Sequence, residues 1–282
     1  MDAMGKANVE MAELWNQASG RTWVELQEIL DGMFAPLIQP VLEAVPVAPG
    51  ARVLDVGCGA GASTLAMARR VGPTGACVGV DVSAPLVEAA RARAAAEGVP
   101  QASFIHADAQ TVDLTGAPPF DALISRLGVM FFGDPVAAFT NLRGALRPGA
   151  PLAYVAWRRP EDNPFMMAAL RAATPFLPDV AEPTRDAPGQ FGLADGARAQ
   201  RILEASGWHD VTLAPLDCRG EMRAADLLTY ATRVGPVGRA LRELDEATRV
   251  RTTDAVRAGY APYVQDGVAR FDIACWLATA RA

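Results

Sequence analysis

The fold is decided by VLDVGCGAGAS, Val53–Ser63. Apolar residues surround Asp55, and Gly57, Gly59 and Gly61 then alternate with small residues. A short apolar run that dissolves into glycines reads as a buried strand turning into a helix, with side chains cleared where something approaches the backbone. The glycines also fit G-x-G-x-x-A with Ala62 in the last place, so a nicotinamide dinucleotide fingerprint is one reading. A tight strand–helix turn without a ligand is another.

Three carboxylates narrow the choice. Asp55, two residues before Gly57, would repel a pyrophosphate and suits a ligand with positive charge. In VGVDVS, Asp81 ends the second strand, where an acid can accept both hydroxyls of a ribose. Its competing role is to cap the next helix, for which Ser83 is better placed. In HADAQ, Asp108 ends the third strand, where a carboxylate can accept an adenine amino group; its competing role is that of a solvated turn residue. Together these describe a ligand with an adenine, a ribose and a cationic tail but no phosphate, which is S-adenosylmethionine.

Asp55-x-Gly57-x-Gly59-x-Gly61, followed by Asp81 and by Asp108-Ala109, resembles the class I S-adenosylmethionine-dependent methyltransferases. LRPGAPLAYVAW resembles the segment before and through their fifth strand, and ISRLGVMFFGDPVAAFTNLRGALRPG is similar to their small-molecule branch, which includes the ubiquinone/menaquinone-type enzymes. The resemblance covers Trp15 to Trp157 well and the rest in outline. It implies an α/β, Rossmann-like doubly wound sheet of seven strands with an antiparallel last strand, a role that suits VARFDIACWLATA. It also implies that the cofactor is held by Asp55, Gly57, Cys58, Gly59 and Gly61 of the loop, by Asp81 and Val82, by Asp108 and Ala109, and by Ser125. Asp55 would act indirectly, holding the loop or reaching the ammonium through water.

Working outward, strands and helices alternate. Strands are read at ARVLDVG, GACVGVDV, ASFIHAD, FDALISR and PLAYVAW. Ser83 and Pro85 open one intervening helix, and Asp134 and Pro135 another. Such alternation predicts a parallel sheet with helices on both faces. Upstream, residues 1–48 form an N-terminal helical cap: about twenty polar residues with turns, then helical spacing from Trp23 to Val45 broken by Pro36 and Pro40. The resemblance implies that residues 49–282 form the methyltransferase core, with lid insertions expected at 158–196 and 223–262. Helices are read near Pro164–Thr174 and Ala197–Ser206, and a strand at HDVTLAPLD.

Composition sets limits. The chain has 282 residues, half of them apolar, enough for one sizeable core. A net charge of −6 without a Lys/Arg block argues against nucleic acid as a partner. The N-terminus lacks the apolar core of a secretory signal, and no apolar run is long enough to span a membrane. Cys58, Cys77, Cys218 and Cys275 are far apart, which reads as reduced thiols of a cytoplasmic protein and speaks against a zinc site.

Methyl transfer from a sulfonium needs a base only when the acceptor must lose a proton. No catalytic base stands out. His106 lies within a strand, His209 reads as a surface turn, and no carboxylate follows the fourth strand to hold a metal. Substrate contacts are expected from Trp15 and Trp23, from Arg126, Met130 and Phe131 after the fourth strand, and from Trp157 after the fifth. The expected substrate is a small, largely apolar organic molecule, with O-methylation placed ahead of C- or N-methylation. The alternatives are an S-adenosylmethionine-binding protein that transfers no methyl group, and a nicotinamide-dependent oxidoreductase. The Trp-rich N-terminal segment suits either a lid or a homodimer contact.

Overall fold

The structure, a computed structural model, describes residues 3–116, 118–177 and 187–282. Residues 178–186 of the expected first lid insertion lie outside the described residues. Five parallel strands form the centre: β1 (Arg52–Val56), β2 (Ala76–Asp81), β3 (Ala102–His106), β4 (Ala122–Arg126) and β5 (Pro151–Trp157). β1 and β5 are buried almost without interruption, as strands covered on both faces must be. The sheet order is β3-β2-β1-β4-β5-β8-β6, with β6 at His209–Arg223 and β8 at Val268–Arg281. β8 runs antiparallel between β5 and β6, so the expected antiparallel last strand is present. The two-residue β7 (Val264–Gln265) is an addition to the seven strands read from the sequence, pairing with the start of β8.

The order reverses direction at β1, because β2 and β3 lie to one side and β4 and β5 to the other. Right-handed crossovers then put α5 (Ala62–Val71) and α6 (Ala84–Ala96) on one face and α7 (Pro135–Gly144) on the other. The loops at the carboxyl ends of β1 and β4 part there and leave a crevice.

The N-terminal segment departs from its sequence reading. Its first part is helix rather than polar turns: α1 (Ala3–Asn16) and α2 (Ala18–Glu25) precede α3 (Gln27–Phe34) and α4 (Ile38–Ala44). Pro36 sits in a 3-10 turn between α3 and α4, and Pro40 in the first turn of α4, where its missing N–H costs nothing. The reading failed because α1 mixes half-buried Asn8, Ala12 and Asn16 with Met11, Leu14 and Trp15, which blurs the apolar period.

β6 also runs past the expected HDVTLAPLD to Arg223. Its partner β8 supplies the rungs, with Arg223 opposite Val268. Beyond Cys275, β8 leaves β5, and the two strands continue as a ribbon. That ribbon leads into α10 (Ala224–Arg233), α11 (Gly235–Ala240) and α12 (Glu246–Tyr260). The Phe165 ring of α8 (Pro164–Ala173) stacks on Phe271 of the ribbon at 3.7 Å and meets Tyr260 of α12 at 5.0 Å. Helix α9 (Gly196–Ala205) packs beside α7 and β6.

Asn163 ties this upper layer to the sheet. It is fully buried; its Nδ2 donates to the Ala274 carbonyl and its Oδ1 accepts from the Ala274 N–H, both at 2.9 Å. These bonds serve β8 where it parts from β5. Asn163→Ala would leave a buried Ala274 N–H without an acceptor, a loss of about 2 kcal/mol. Urea unfolding should show a lower midpoint at unchanged slope.

Candidate functional site

Two backbones touch at the floor of the crevice. A Cβ on Gly57 would lie 2.5 Å from Gly128 Cα, and one on Gly128 would lie 2.4 Å from the Val56 carbonyl oxygen. Both positions therefore exclude a side chain, and the loop after β1 seats on the loop after β4. Leu127 makes the turn at a positive φ of 62°, which is uncommon for a non-glycine residue and marks local strain beside the cavity. Gly59 differs: nothing lies within 4 Å of a Cβ placed there. Space is open above Gly59, so this glycine leaves room for a ligand. Gly61 backs onto Phe104 and Ala90 instead and does not line the cavity.

Asp55 lies beneath this floor with no exposed surface. Its Oδ2 accepts from Ser63 Oγ at 2.7 Å and from Thr64 Oγ1 at 2.6 Å, which fixes the first turn of α5. Its Oδ1 is buried without a partner. Burial pushes the carboxyl up to about 6, against the pull of the two hydroxyls. Ser125 is buried as well, donating from Oγ to the Val56 carbonyl at 2.7 Å. Asp55, Gly61 and Ser125 thus support the floor from below, while Gly57, Cys58, Gly59, Asp81, Val82, Asp108 and Ala109 line the cavity.

The acids after β2 and β3 stand at one end. Asp81 Oδ2 accepts from the Gly59 N–H at 2.8 Å and its Oδ1 from the Ser83 N–H at 2.9 Å, which couples the glycine loop to the end of β2. Burial raises the Asp81 carboxyl, opposed by these N–H groups. Asp108 accepts from the Gln110 N–H at 2.9 Å and from the Asn8 side chain. The expected cap of α6 is replaced: Ser83 Oγ donates to the Trp15 carbonyl at 2.7 Å, and Asn16 Oδ1 accepts the Ala84 N–H at 2.9 Å. Helix α1 therefore reaches both acidic strand ends through Asn8 and Asn16. Neither asparagine was singled out in the sequence. Asn8, Ala12, Trp15 and Ser19 all line the cavity at helical spacing, a period obscured by their mixed chemistry.

The other end is aromatic. Trp15 meets Trp23 edge-on at 5.3 Å and Phe131 at 5.5 Å; Phe34 packs against Trp23 and, at 5.9 Å, against Trp157. The six substrate-contact candidates, Trp15, Trp23, Arg126, Met130, Phe131 and Trp157, all line this same cavity, which measures about 760 Å³. That volume lies within the range of small-molecule sites. Arg126 Nη2 lies 3.5 Å from Asp31 Oδ1, while its buried Nη1 has no partner. Burial lowers the Arg126 guanidinium, opposed by Asp31 and Asp55. Arg233, Arg239 and Arg242 reach the rim from above, a contribution the sequence reading missed because the helical patch at 223–262 carries no motif.

His106 is exposed, its Nε2 3.0 Å from the Val82 carbonyl, and His209 is exposed at the start of β6. Neither lines the cavity. Among the described residues, no three His, Cys, Asp or Glu side chains gather as metal ligands, and no helix is long and apolar enough to cross a membrane.

Comparison with known proteins agrees with this geometry. Residues 53–149 match the family described as "Methyltransferase domain". The chain is 31% identical over 151 residues to the aklanonic acid methyltransferase of Streptomyces sp. strain C5, covering 53% of this chain and 63% of that protein. It is 38% identical over 118 residues to the 2-phytyl-1,4-naphtoquinone methyltransferase of Trichormus variabilis, covering 42% and 51%. The chain spans about half the length of the curated relatives it matches. A likeness in fold extends further: a Haemonchus contortus phosphoethanolamine N-methyltransferase, solved with S-adenosylhomocysteine, aligns with a TM-score of 0.56 at 17% identity over 95% of this chain and 58% of that one.

The raised Asp55 carboxyl has a consequence for stability. The folded protein binds the Asp55 proton more tightly than the unfolded chain does, so this group's contribution is full below the unfolded value of 3.8. It is lost as pH rises to about 6, and level above. The interval corresponds to about 3 kcal/mol. Asp55→Asn cannot ionise and should remove the loss. Its stability relative to wild type should rise by about 2 kcal/mol between pH 4 and pH 6.5 in parallel urea titrations.

Proposed function

We propose that this chain, which carries a class I S-adenosylmethionine-dependent methyltransferase domain, methylates a small, largely apolar organic molecule, at oxygen in preference to carbon or nitrogen. The observation that carries the reading is the layout of one cavity. Buried or hydrogen-bonded acids and an open glycine loop stand at one end, and an aromatic wall at the other.

The residues fit S-adenosylmethionine. Each Asp81 oxygen already accepts one backbone N–H and keeps a lone pair for a ribose hydroxyl. Asp108 is placed to accept the adenine amino group. The loop from Gly57 to Gly59 leaves room for the methionine part. When bound, the cofactor supplies an activated methyl group together with its leaving group. The chain then has to position an acceptor and keep water away. Trp15, Trp23, Phe131 and Trp157 do the first through shape. The N-terminal helices, with the segments around 187–191 and 230–242, form the lid for the second.

The preference for oxygen is supported by what surrounds the cavity. No histidine lines the cavity among the described residues. The Tyr230 hydroxyl is held above its ordinary value by burial and turned towards Met166 Sδ at 3.6 Å. An acceptor that arrives ionised needs no base. The two relatives named above are, by their names, enzymes of aklanonic acid and a phytylated naphthoquinone, substrates compatible with an aromatic wall. Four free cysteines suit a cytoplasmic location.

Calorimetric titration tests the reading. S-adenosylhomocysteine should bind and NADH should not; the reverse would sink it. Asp81→Ala should weaken S-adenosylhomocysteine by about tenfold to a hundredfold, the loss of charge-assisted hydrogen bonds worth roughly 1.5–3 kcal/mol. Equal affinity in the variant would remove the ribose assignment. Release of S-adenosylhomocysteine from S-adenosylmethionine with a methyl acceptor present separates transfer from binding alone.

A further inference from the structure

The charges around the cavity are sorted by strand. Along the order β3-β2-β1-β4-β5, the strand ends carry Asp108, Asp81, the glycine loop, Arg126 and Trp157. Neighbouring strands are about 4.8 Å apart, so Arg126 stands about 10 Å from the Asp81 position and one strand from the aromatic wall. The acids suit a cationic cofactor. The arginine needs another explanation.

Arg126 is held but not satisfied. Among the described residues its one ion-pair partner is Asp31, with Asp55 acting from beneath the floor, and Asp31 is shared: its Oδ2 takes Arg93 Nη1 at 2.6 Å and Gln27 Nε2 at 2.5 Å. Oδ1 reaches Arg126 Nη2 at 3.5 Å, a long contact. Arg126 lines the cavity, and its buried Nη1 has no acceptor among the described residues. Buried donors left unpaired are rare and call for an explanation, of which a missing ligand is one. Asp31 lies one helical turn from Phe34, so Arg126 is held against the aromatic end. Above it, exposed Arg239 and Arg242 border the same cavity, and neither has an acidic partner among the described residues.

We propose that the methyl acceptor is an apolar carboxylic acid, anchored by its carboxylate on the unpaired face of Arg126 and drawn in past Arg239 and Arg242. This rests on the methyltransferase reading above. A planar guanidinium offers parallel N–H groups to a carboxylate. A doubly charged phosphate would leave a charge uncompensated among tryptophans. The two rim arginines steer an anion towards the mouth without entering the bound contact.

The test uses 2-naphthoic acid and its neutral isostere 2-naphthamide, titrated by calorimetry into the full chain with and without saturating S-adenosylhomocysteine. The acid should bind at least tenfold tighter than the amide. Arg126→Gln should abolish that preference, leaving the amide and S-adenosylhomocysteine affinities within threefold of wild type. The exposed double variant Arg239→Gln/Arg242→Gln should weaken the acid severalfold at low salt and hardly at high salt. Equal binding of acid and amide, or a preference that survives Arg126→Gln, overturns the proposal. So does a tenfold loss of S-adenosylhomocysteine in Arg126→Gln, which would give Arg126 to the cofactor. If Arg126→Gln does not fold, unchanged acid affinity in the double variant overturns it. Wild-type protein that binds no S-adenosylhomocysteine overturns the methyltransferase reading instead, and the acid–amide comparison without it keeps the two failures apart.

Discussion

The contact between Gly57 and Gly128 is the constraint on which the site depends. Two chain segments that leave neighbouring parallel strands would ordinarily diverge with their side chains between them. Here neither segment carries a side chain at the crossing, so peptide packs on peptide and the floor closes. Leu127 accepts an unfavourable φ to make that possible, and Asp55, Ser63 and Thr64 brace the loop from below. Everything above the floor, acids to one side and arginine to the other, takes its position from this seam.

The N-terminal helices complete what the sheet begins. Asn8 and Asn16 bond to groups at the ends of β3 and β2, and Trp15 joins the acidic half of the cavity to the aromatic half through Ser83 and Phe131. A segment that precedes the core in sequence therefore contributes to both halves of one cavity. Asn8 and Asn16 serve strand ends and a helix N-terminus, while Glu13, Gln17 and Arg21 are exposed.

Much of this was legible from spacing. Short apolar runs alternating with helical segments located the five parallel strands, and the acids at the strand ends stood out because their positions follow from topology. The glycines were legible as a cleared backbone but not in their separate tasks. Gly57 answers to Gly128, about seventy residues away, Gly61 to Phe104 and Ala90, and only Gly59 opens onto free space. Helix α1 was missed because hydrophobic periodicity is the signal for a helix, and α1 pays for its burial partly in hydrogen bonds. The length of β6 was missed because alternating charged residues in an edge strand look like a turn until a partner strand is known.

The ribbon formed by the distal halves of β6 and β8 carries the roof of the cavity away from the sheet. Its length is a number of rungs, from Asp217–Ala274 to Arg223–Val268. Adding two residues to each strand would preserve which side chains face inward and extend the ribbon by about 7 Å. Headroom over the aromatic wall is thus set by strand length, in steps of a dipeptide, while the floor and the acidic strand ends stay as they are. A chain built this way can change the height of its cavity without touching the glycine loop or the acidic strand ends.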